Sequence, residues 1–376
     1  MKMKSVYCYM LAGLMLSASS CSSWLSEDDA PVMSYDYYET EAGVNAAITA
    51  AYGFLRWGVG GERFDVLTEL GTDLFTEGED GSNRESYNKY ATQLNPDDGI
   101  LYEMWENHYK GISDANIAMQ KIRDSQDLLE SVKIQSYAEM QFIRAYLYFD
   151  LVQQFGRIPL VTEGSFEIRT DFKRAPIADV YNVIISDLRN AAENLPEKAS
   201  VLGRATRYSA AHLLAKVYLT RGSAVKDARG QKATDMDSTL YYAEQVINSG
   251  AYALQENFSS LWDIKNQGNS EAVFAVQFTT EPMFNGDGNK QHLYWLSWYE
   301  DQPGMLRDIE NGRPYRRHVA TKKTMDDLFD RLHDSRFYKS FKWVYYANNV
   351  STLPVWESLS YDGNCLLYTS DAADEA

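Results

Sequence analysis

Apolar residues recur at helical spacing along most of the chain. Leu101, Trp105, His108, Ile112, Ala115, Met119 and Ile122 step by four and three, which places them on one face of a helix. His108 sits within that stripe, a position that suits a core histidine better than a catalytic one. The next stretch, 131–155, is apolar nearly all round, and its tightest stripe runs Ala138, Phe142, Ala145, Phe149, Val152. Gly156 then offers a helix-ending position and Pro159 forbids continuation. A helix apolar on most faces must be covered on most faces, which requires a layered stack. Further helices are predicted at 39–57, at 177–195 between Pro176 and Pro196, at 236–249 before Gly250, and at 322–333. Residues 271–279, containing Ala272-Val273-Phe274-Ala275-Val276-Gln277-Phe278, read as a strand.

About seventy residues after the second helix its pattern returns. Tyr208, Ala211, Ala215 and Tyr218 again step by three and four, and Arg144-Ala145-x-x-Tyr148 is echoed by Leu214-Ala215-x-x-Tyr218. The interval is close to twice the roughly 34-residue period of tetratricopeptide helix pairs. A mainly α fold is therefore expected, with tetratricopeptide-like stacked helix pairs, irregular loops and a few short β-strands.

Charge and composition narrow the function. The chain of 376 residues carries 53 Asp+Glu against 36 Lys+Arg, a net −17. No basic excess exists to displace counterions from nucleic-acid phosphates, so no nucleic-acid partner is expected. With 27 Tyr, 15 Phe and 8 Trp, the chain has far more aromatic surface than a disordered one. Its three cysteines are Cys8, Cys21 and Cys365, so the body offers no disulfide, thiolate metal site or cysteine nucleophile.

Both ends read as something other than fold. Lys2 and Lys4 precede the mostly apolar Tyr7–Leu16, which would rise only about 15 Å as a helix, half a bilayer core. Small residues then lead into Cys21. That arrangement resembles the lipobox of bacterial lipoproteins, with 1–20 as signal peptide, Cys21 as the lipidated residue and 21–38 as anchor and tether. Glu27, Asp28 and Asp29 follow closely; they suit a surface-export signal and a solvated tether equally. At the far end, residues 365–376 resemble translated sequencing adapter, so the native sequence is expected to stop near Asn364.

Several stretches together resemble the SusD/RagB family of Bacteroidetes outer-membrane lipoproteins. They are Cys21-Ser22-Ser23-Trp24-Leu25; Ala50-Ala51-Tyr52; Ala138 to Phe149 followed by Phe155-Gly156-Arg157-Ile158-Pro159-Leu160-Val161; Arg204-Ala205-Thr206-Arg207-Tyr208-Ser209 with Leu214 to Leu219; Ala243 to Leu254; and Asn269 to Phe274. The resemblance covers roughly 21–345 and makes 39–364 one helical-repeat domain, incomplete at its C-terminus. It implies a surface-exposed, lipid-anchored protein with no enzymatic activity. Such a protein would capture oligosaccharide and deliver it to a SusC-like TonB-dependent outer-membrane transporter.

The residues themselves favour binding over catalysis. No HExxH, nucleophile elbow, P-loop or dinucleotide fingerprint is present among the five histidines and scattered acids. No cofactor is expected; the turns Gly78-Glu79-Asp80-Gly81 and Asn285-Gly286-Asp287-Gly288-Asn289 miss the EF-hand order and leave structural calcium as a minor alternative. A sugar ring has an apolar C–H face and a hydroxyl rim, so it stacks on an aromatic ring while polar side chains take the hydroxyls. Two segments offer this. His292 to Tyr299, if helical, pairs Tyr294 with Trp298 and Trp295 with Tyr299. Residues 82–90 carry Asn83, Arg84, Tyr87, Asn88 and Tyr90, with Trp57 in a glycine-rich turn upstream. Ordinary packing competes for each of these rings. The rival functions are a helical-repeat adaptor for protein and a surface glycoside hydrolase.

Overall fold

The computed structural model describes residues 40–78, 84–90, 94–165, 169–225, 229–286, 288–342, 344–353 and 366–369. The signal segment, Cys21 and its tether, Asn83, Asp287 and most of the adapter-like tail lie outside these residues, as do the acids of the 78–81 turn.

Six helices make the frame: α1 (Glu41–Gly53), α3 (Gly99–Asp124), α4 (Glu130–Phe155), α5 (Ile177–Asn194), α6 (Arg207–Gly222) and α7 (Asp235–Ile247), with the short α2 (Glu62–Thr68) after α1. Each of α3 to α6 packs on its successor, and α1 covers both α3 and α4. Their starts follow the sequence. Thr40 caps α1 through its hydroxyl, Asp98 caps α3, and Thr206 and Ser209 form a reciprocal capping box at α6. Gly156 ends α4 at φ 68°, as its position suggested. No described helix is long and apolar enough to cross a membrane.

Helix α4 is buried on all sides: every residue from Ala138 to Ala145 is inaccessible. Its polar members are each engaged. Arg144 donates Nε and Nη2 to the two carboxylate oxygens of Asp187 on α5, both at 2.8 Å, and Nη1 to Asn116 on α3 and to the Thr162 carbonyl. Gln141 donates to Asp187 as well. Glu139 accepts from Tyr52 on α1 and pairs with Arg204 before α6, while the Ala205 amide donates to Tyr52. The loop after α4 is pinned in the same way. Tyr109 donates to the Pro159 carbonyl, and Asn116 and Tyr148 to that of Val161. The distinctive motifs are thus the residues that fix helix to helix. Gly111 allows a close approach of α3 to α4, since a Cβ there would sit 2.6 Å from Leu147 and 3.0 Å from Phe54.

Three expected elements take other forms. Residues 271–279 form no regular strand and pair with none among the described residues; Phe274 packs on Phe142 and Tyr52, and the carbonyls of Val273 and Gln277 accept from Ser209 and Arg56. The 322–333 helix reduces to one π-type turn, Lys323–Asp327, because Arg331 takes the Met325 carbonyl. The helix expected over 292–299 ends at Tyr294. Two short antiparallel pairings complete the structure, β1 (Phe75–Glu77) with β2 (His318–Ala320), and β3 (Val344–Tyr346) with β4 (Leu366–Thr369).

Removing one partner of a buried, hydrogen-bonded ion pair leaves the other charge stranded, at about 3–5 kcal/mol. Asp187→Ala should lower the unfolding free energy by that amount in urea titration. Glu106→Ala, which breaks only the exposed Lys110–Glu106 pair, should leave the midpoint nearly unchanged.

Candidate functional site

The C-terminal end of α1 does not finish the chain's business at Gly53. It runs through a tight turn, Phe54–Arg56, into the helical turn Trp57–Gly60 and then α2. Asn107 of α3 holds this corner by donating to the Phe54 carbonyl. Against it lies the segment 288–294: the Lys290 amide donates to the Gly60 carbonyl and the Gln291 side chain to that of Gly61. The amides of Tyr315, Arg316 and Arg317 donate in turn to the carbonyls of Leu293, Leu296 and Tyr294. This brace continues into β2, whose pairing with β1 sets His318 opposite Glu77.

Between these segments opens a cleft of about 530 Å³, walled by Trp57, Phe278, Arg84, Lys290, Tyr294 and Arg317. Its buried floor is Glu62, whose Oε2 accepts from Arg84 at 2.7 Å and also from Arg317. Arg317 lies over the rings of Tyr294 and Tyr315, which stack on each other, and Arg56 lies over Phe278. Glu103, the other carboxylate among the described lining residues, pairs with Arg63.

The six aromatic candidates separate clearly, and the seventh candidate, Asn83, lies outside the described residues. Trp57, half-buried and edge-on to Phe64 and His108, and Tyr294 line the cleft. Trp295 and Trp298 are half-buried and do not line it; Trp295 donates to Gln291 and meets Phe75 and His318. Tyr87 and Tyr299 are packing residues. Tyr87 is buried with Val66 and Leu70 and donates to Asp98, and Tyr299 stacks on Tyr345 and donates to the Gly312 carbonyl. Because the helix stops at Tyr294, the two ring pairings expected from a continuous 292–299 helix do not form. Sequence reasoning missed Arg56, Glu62, Lys290 and Arg317, which converge from distant segments and share no motif. His108 is a core residue, bonded to the Met104 carbonyl and facing Asp150. A larger groove, about 740 Å³, lies between α5 and α7 and contains Tyr208, Tyr241 and Tyr242 but none of the predicted residues. Among the described residues no His, Cys, Asp and Glu cluster could hold a metal.

The SusD-like family model, described as "Starch-binding associating with outer membrane", matches residues 32–219, half of the chain. The chain belongs to the SusD-like family. It is 27% identical to SusD-like protein P2 of Formosa agariphila over 341 residues, covering 83% of this chain and 63% of that protein. It is also 27% identical to the starch-binding protein SusD of Bacteroides thetaiotaomicron over 176 residues, 46% of this chain and 29% of that one. Among solved structures, a laminarin-binding SusD-like protein superposes with a TM-score of 0.66 at 25% identity, covering 81% of this chain and 66% of that one. A SusD superfamily protein from Parabacteroides distasonis gives 0.68 at 23% identity, covering 84% and 65%, and supports the fold. The chain spans less than two thirds of the length of each of these proteins. The SusD-like chain therefore has the stacked-helix fold of its family, a family described by carbohydrate binding at the outer membrane.

Behind the cleft, His318 is fully buried with Asp65 beside it, and neither ring nitrogen has a hydrogen-bond partner. Burial pushes the His318 pKa from 6.5 down to about 4, opposed by Glu62 and aided by Arg84 and Arg317. Burial pushes Asp65 the other way, from 3.8 up to about 6, against a hydrogen bond from Gln291. A lowered histidine pKa contributes stability that is lost as pH falls from about 6.5 to about 4. A raised carboxyl pKa contributes stability that is lost as pH rises from about 3.8 to about 6, so the two slopes oppose each other. In Asp65→Asn only the histidine slope remains. Its urea midpoint should fall more steeply than that of the unmodified protein between pH 6.5 and 4; parallel curves would show that Asp65 is not held protonated.

Proposed function

We propose that this chain binds an oligosaccharide in the Trp57–Tyr294 cleft and presents it to a SusC-like TonB-dependent transporter. In this reading the lipid on Cys21 holds the protein at the outer face of the outer membrane. The observation that carries the binding reading is the convergence of aromatic rings with charged hydrogen-bond donors in one cleft beside the helical frame. A sugar ring needs this combination, a flat apolar face beside groups that take its hydroxyls. Family membership and the laminarin-binding relative support it. Binding without cleavage is favoured by the two carboxylates found among the described residues of the cleft. Glu62 is engaged by two arginines and Glu103 by one, whereas glycoside hydrolysis needs one carboxyl held protonated and another poised for attack.

Titration calorimetry of the protein against a panel of polysaccharides should give saturable binding to at least one. Trp57→Ala should weaken that binding roughly two- to twelvefold, the share of about 0.5–1.5 kcal/mol that an aromatic contact contributes. Tyr87→Phe, Tyr299→Phe and Tyr241→Ala should leave it unchanged. Loss through Tyr241→Ala in place of Trp57→Ala would move the glycan site to the α5–α7 groove, and silence across the panel would favour a protein-binding adaptor. The transporter step predicts co-purification of the protein with the product of an adjoining TonB-dependent transporter gene, and fails if no such gene adjoins.

A further inference from the structure

We infer that Gln291 is a positioning residue for the cleft: it stands behind the wall, and its side-chain amide fixes where Tyr294 lies relative to Glu62. The inference rests on the reading of the cleft as the glycan site and names a residue that sets the affinity without touching the ligand.

Tyr294 closes the helical turn Gln291–Tyr294, and Gly61 leads directly into α2, whose first residue is Glu62. Gly60, Gly61, Glu62, Lys290 and Tyr294 line the cleft, whereas the half-buried Gln291 is not among the described lining residues. Its Nε2 donates to the Gly61 carbonyl at 3.2 Å, across 230 positions of sequence. Its Oε1 accepts from the Trp295 indole at 3.0 Å, one helical turn further on. Trp295 in turn meets Phe75 of β1 edge-on and lies against His318 of β2. A single amide thus joins the floor of the cleft, the turn that carries Tyr294 and the β1–β2 pairing.

The partners at the two ends specify an amide. An indole N–H only donates and a carbonyl only accepts, so a side chain between them must accept at one end and donate at the other. The same two partners decide which end of the Gln291 amide is oxygen. Leucine would leave both partners unpaired, and an ionised glutamate would set two acceptors against each other at Gly61. The nearby bond from the Lys290 amide to the Gly60 carbonyl is backbone to backbone and forms with any side chain. The bond to Gly61 forms only with the right one, which makes it the point where sequence sets the wall against the floor.

The test compares Gln291→Leu and Gln291→Glu with the unmodified protein, using laminarin, soluble starch and xyloglucan as probes in titration calorimetry. Gln291→Leu should weaken binding of the probe that the unmodified protein takes by roughly three- to tenfold at every pH, the share of one or two hydrogen bonds. Gln291→Glu should bind no better than Gln291→Leu at about pH 8. At about pH 4.5 it should recover to within about twofold of the unmodified protein, because a protonated carboxyl donates to Gly61 again. A carboxyl placed beside that of Asp65 holds its proton to higher pH than a free one, so the recovery falls in that range. The charged and titratable groups on the described elements packed here are Glu62, Asp65 and Glu69 along α2, Arg84, and Arg317 and His318 at β2. They are common to all three proteins, so the ratio of affinities at each pH reads the substitution. The urea midpoints should stay near that of the unmodified protein, since the tie lies outside the α4 frame. Binding by Gln291→Leu as tight as that of the unmodified protein, or a Gln291→Glu deficit equal at both pH values, would overturn the inference. If no probe binds the unmodified protein, the glycan reading falls, and ligand-free hydrogen exchange decides the positioning role. The reporter is the Arg317 amide, which donates to the Tyr294 carbonyl. Exchange about fivefold faster in Gln291→Leu supports the role, and unchanged exchange refutes it.

Discussion

A helix buried around its whole circumference is the constraint on which the rest of this molecule depends. α4 has no solvent face along Ala138–Ala145, so α1, α3, α5 and the segment carrying Phe274 must all close over it. Apolar contact alone would allow those neighbours to slide. The buried polar residues remove that freedom, because each has a partner on a different element: Arg144 on α5, α3 and the following loop, and Glu139 on α1 and the turn before α6. Leaving any of these groups unpaired in the interior would cost more than the pairing gains, so they select one arrangement over its near alternatives. Arg221 and Asp235, both buried and doubly hydrogen-bonded, carry the same device on to the α6–α7 junction.

The cleft is a consequence of that frame. α3 fixes the corner after α1 through Asn107 and through the close approach at Gly111, which sets Trp57 and Glu62 in place. The later loops reach the same corner by backbone hydrogen bonds to Gly60 and by the β1–β2 pairing. Charged residues far apart in the chain then meet on Glu62. The frame itself contributes few groups to the ligand; it positions loops that do, as is common where a rigid scaffold carries a variable site.

The helices were legible in the sequence because their signals are local: a 3.6-residue period, Gly156 as a stop, Pro176 and Pro196 as brackets. The departures occurred where a tertiary hydrogen bond outcompeted a local one. Over 292–299 the helix would need the carbonyls of Leu293 and Tyr294 for the amides of Ser297 and Trp298, but Tyr315 and Arg317 take them. The apolar run at 271–279 has strand composition and no strand to pair with among the described residues, so side chains of Ser209 and Arg56 satisfy the carbonyls of Val273 and Gln277. Of the site, the aromatic Trp57 and Tyr294 were accessible to a reading for rings in loops. The cationic wall was not, since Arg56, Lys290 and Arg317 are brought together only by folding, and single charges in an acidic chain carry no pattern of their own.

Native-state hydrogen exchange of the protein without ligand tests the central claim most directly. If α4 organises the frame, its amides from Ala138 to Val152 should exchange only through global unfolding, with the highest protection in the chain and a denaturant dependence matching the whole-protein transition. The loops at 255–315 should open locally and exchange orders of magnitude faster. Exchange of α4 at the rate of those loops, or independently of global unfolding, would contradict the account.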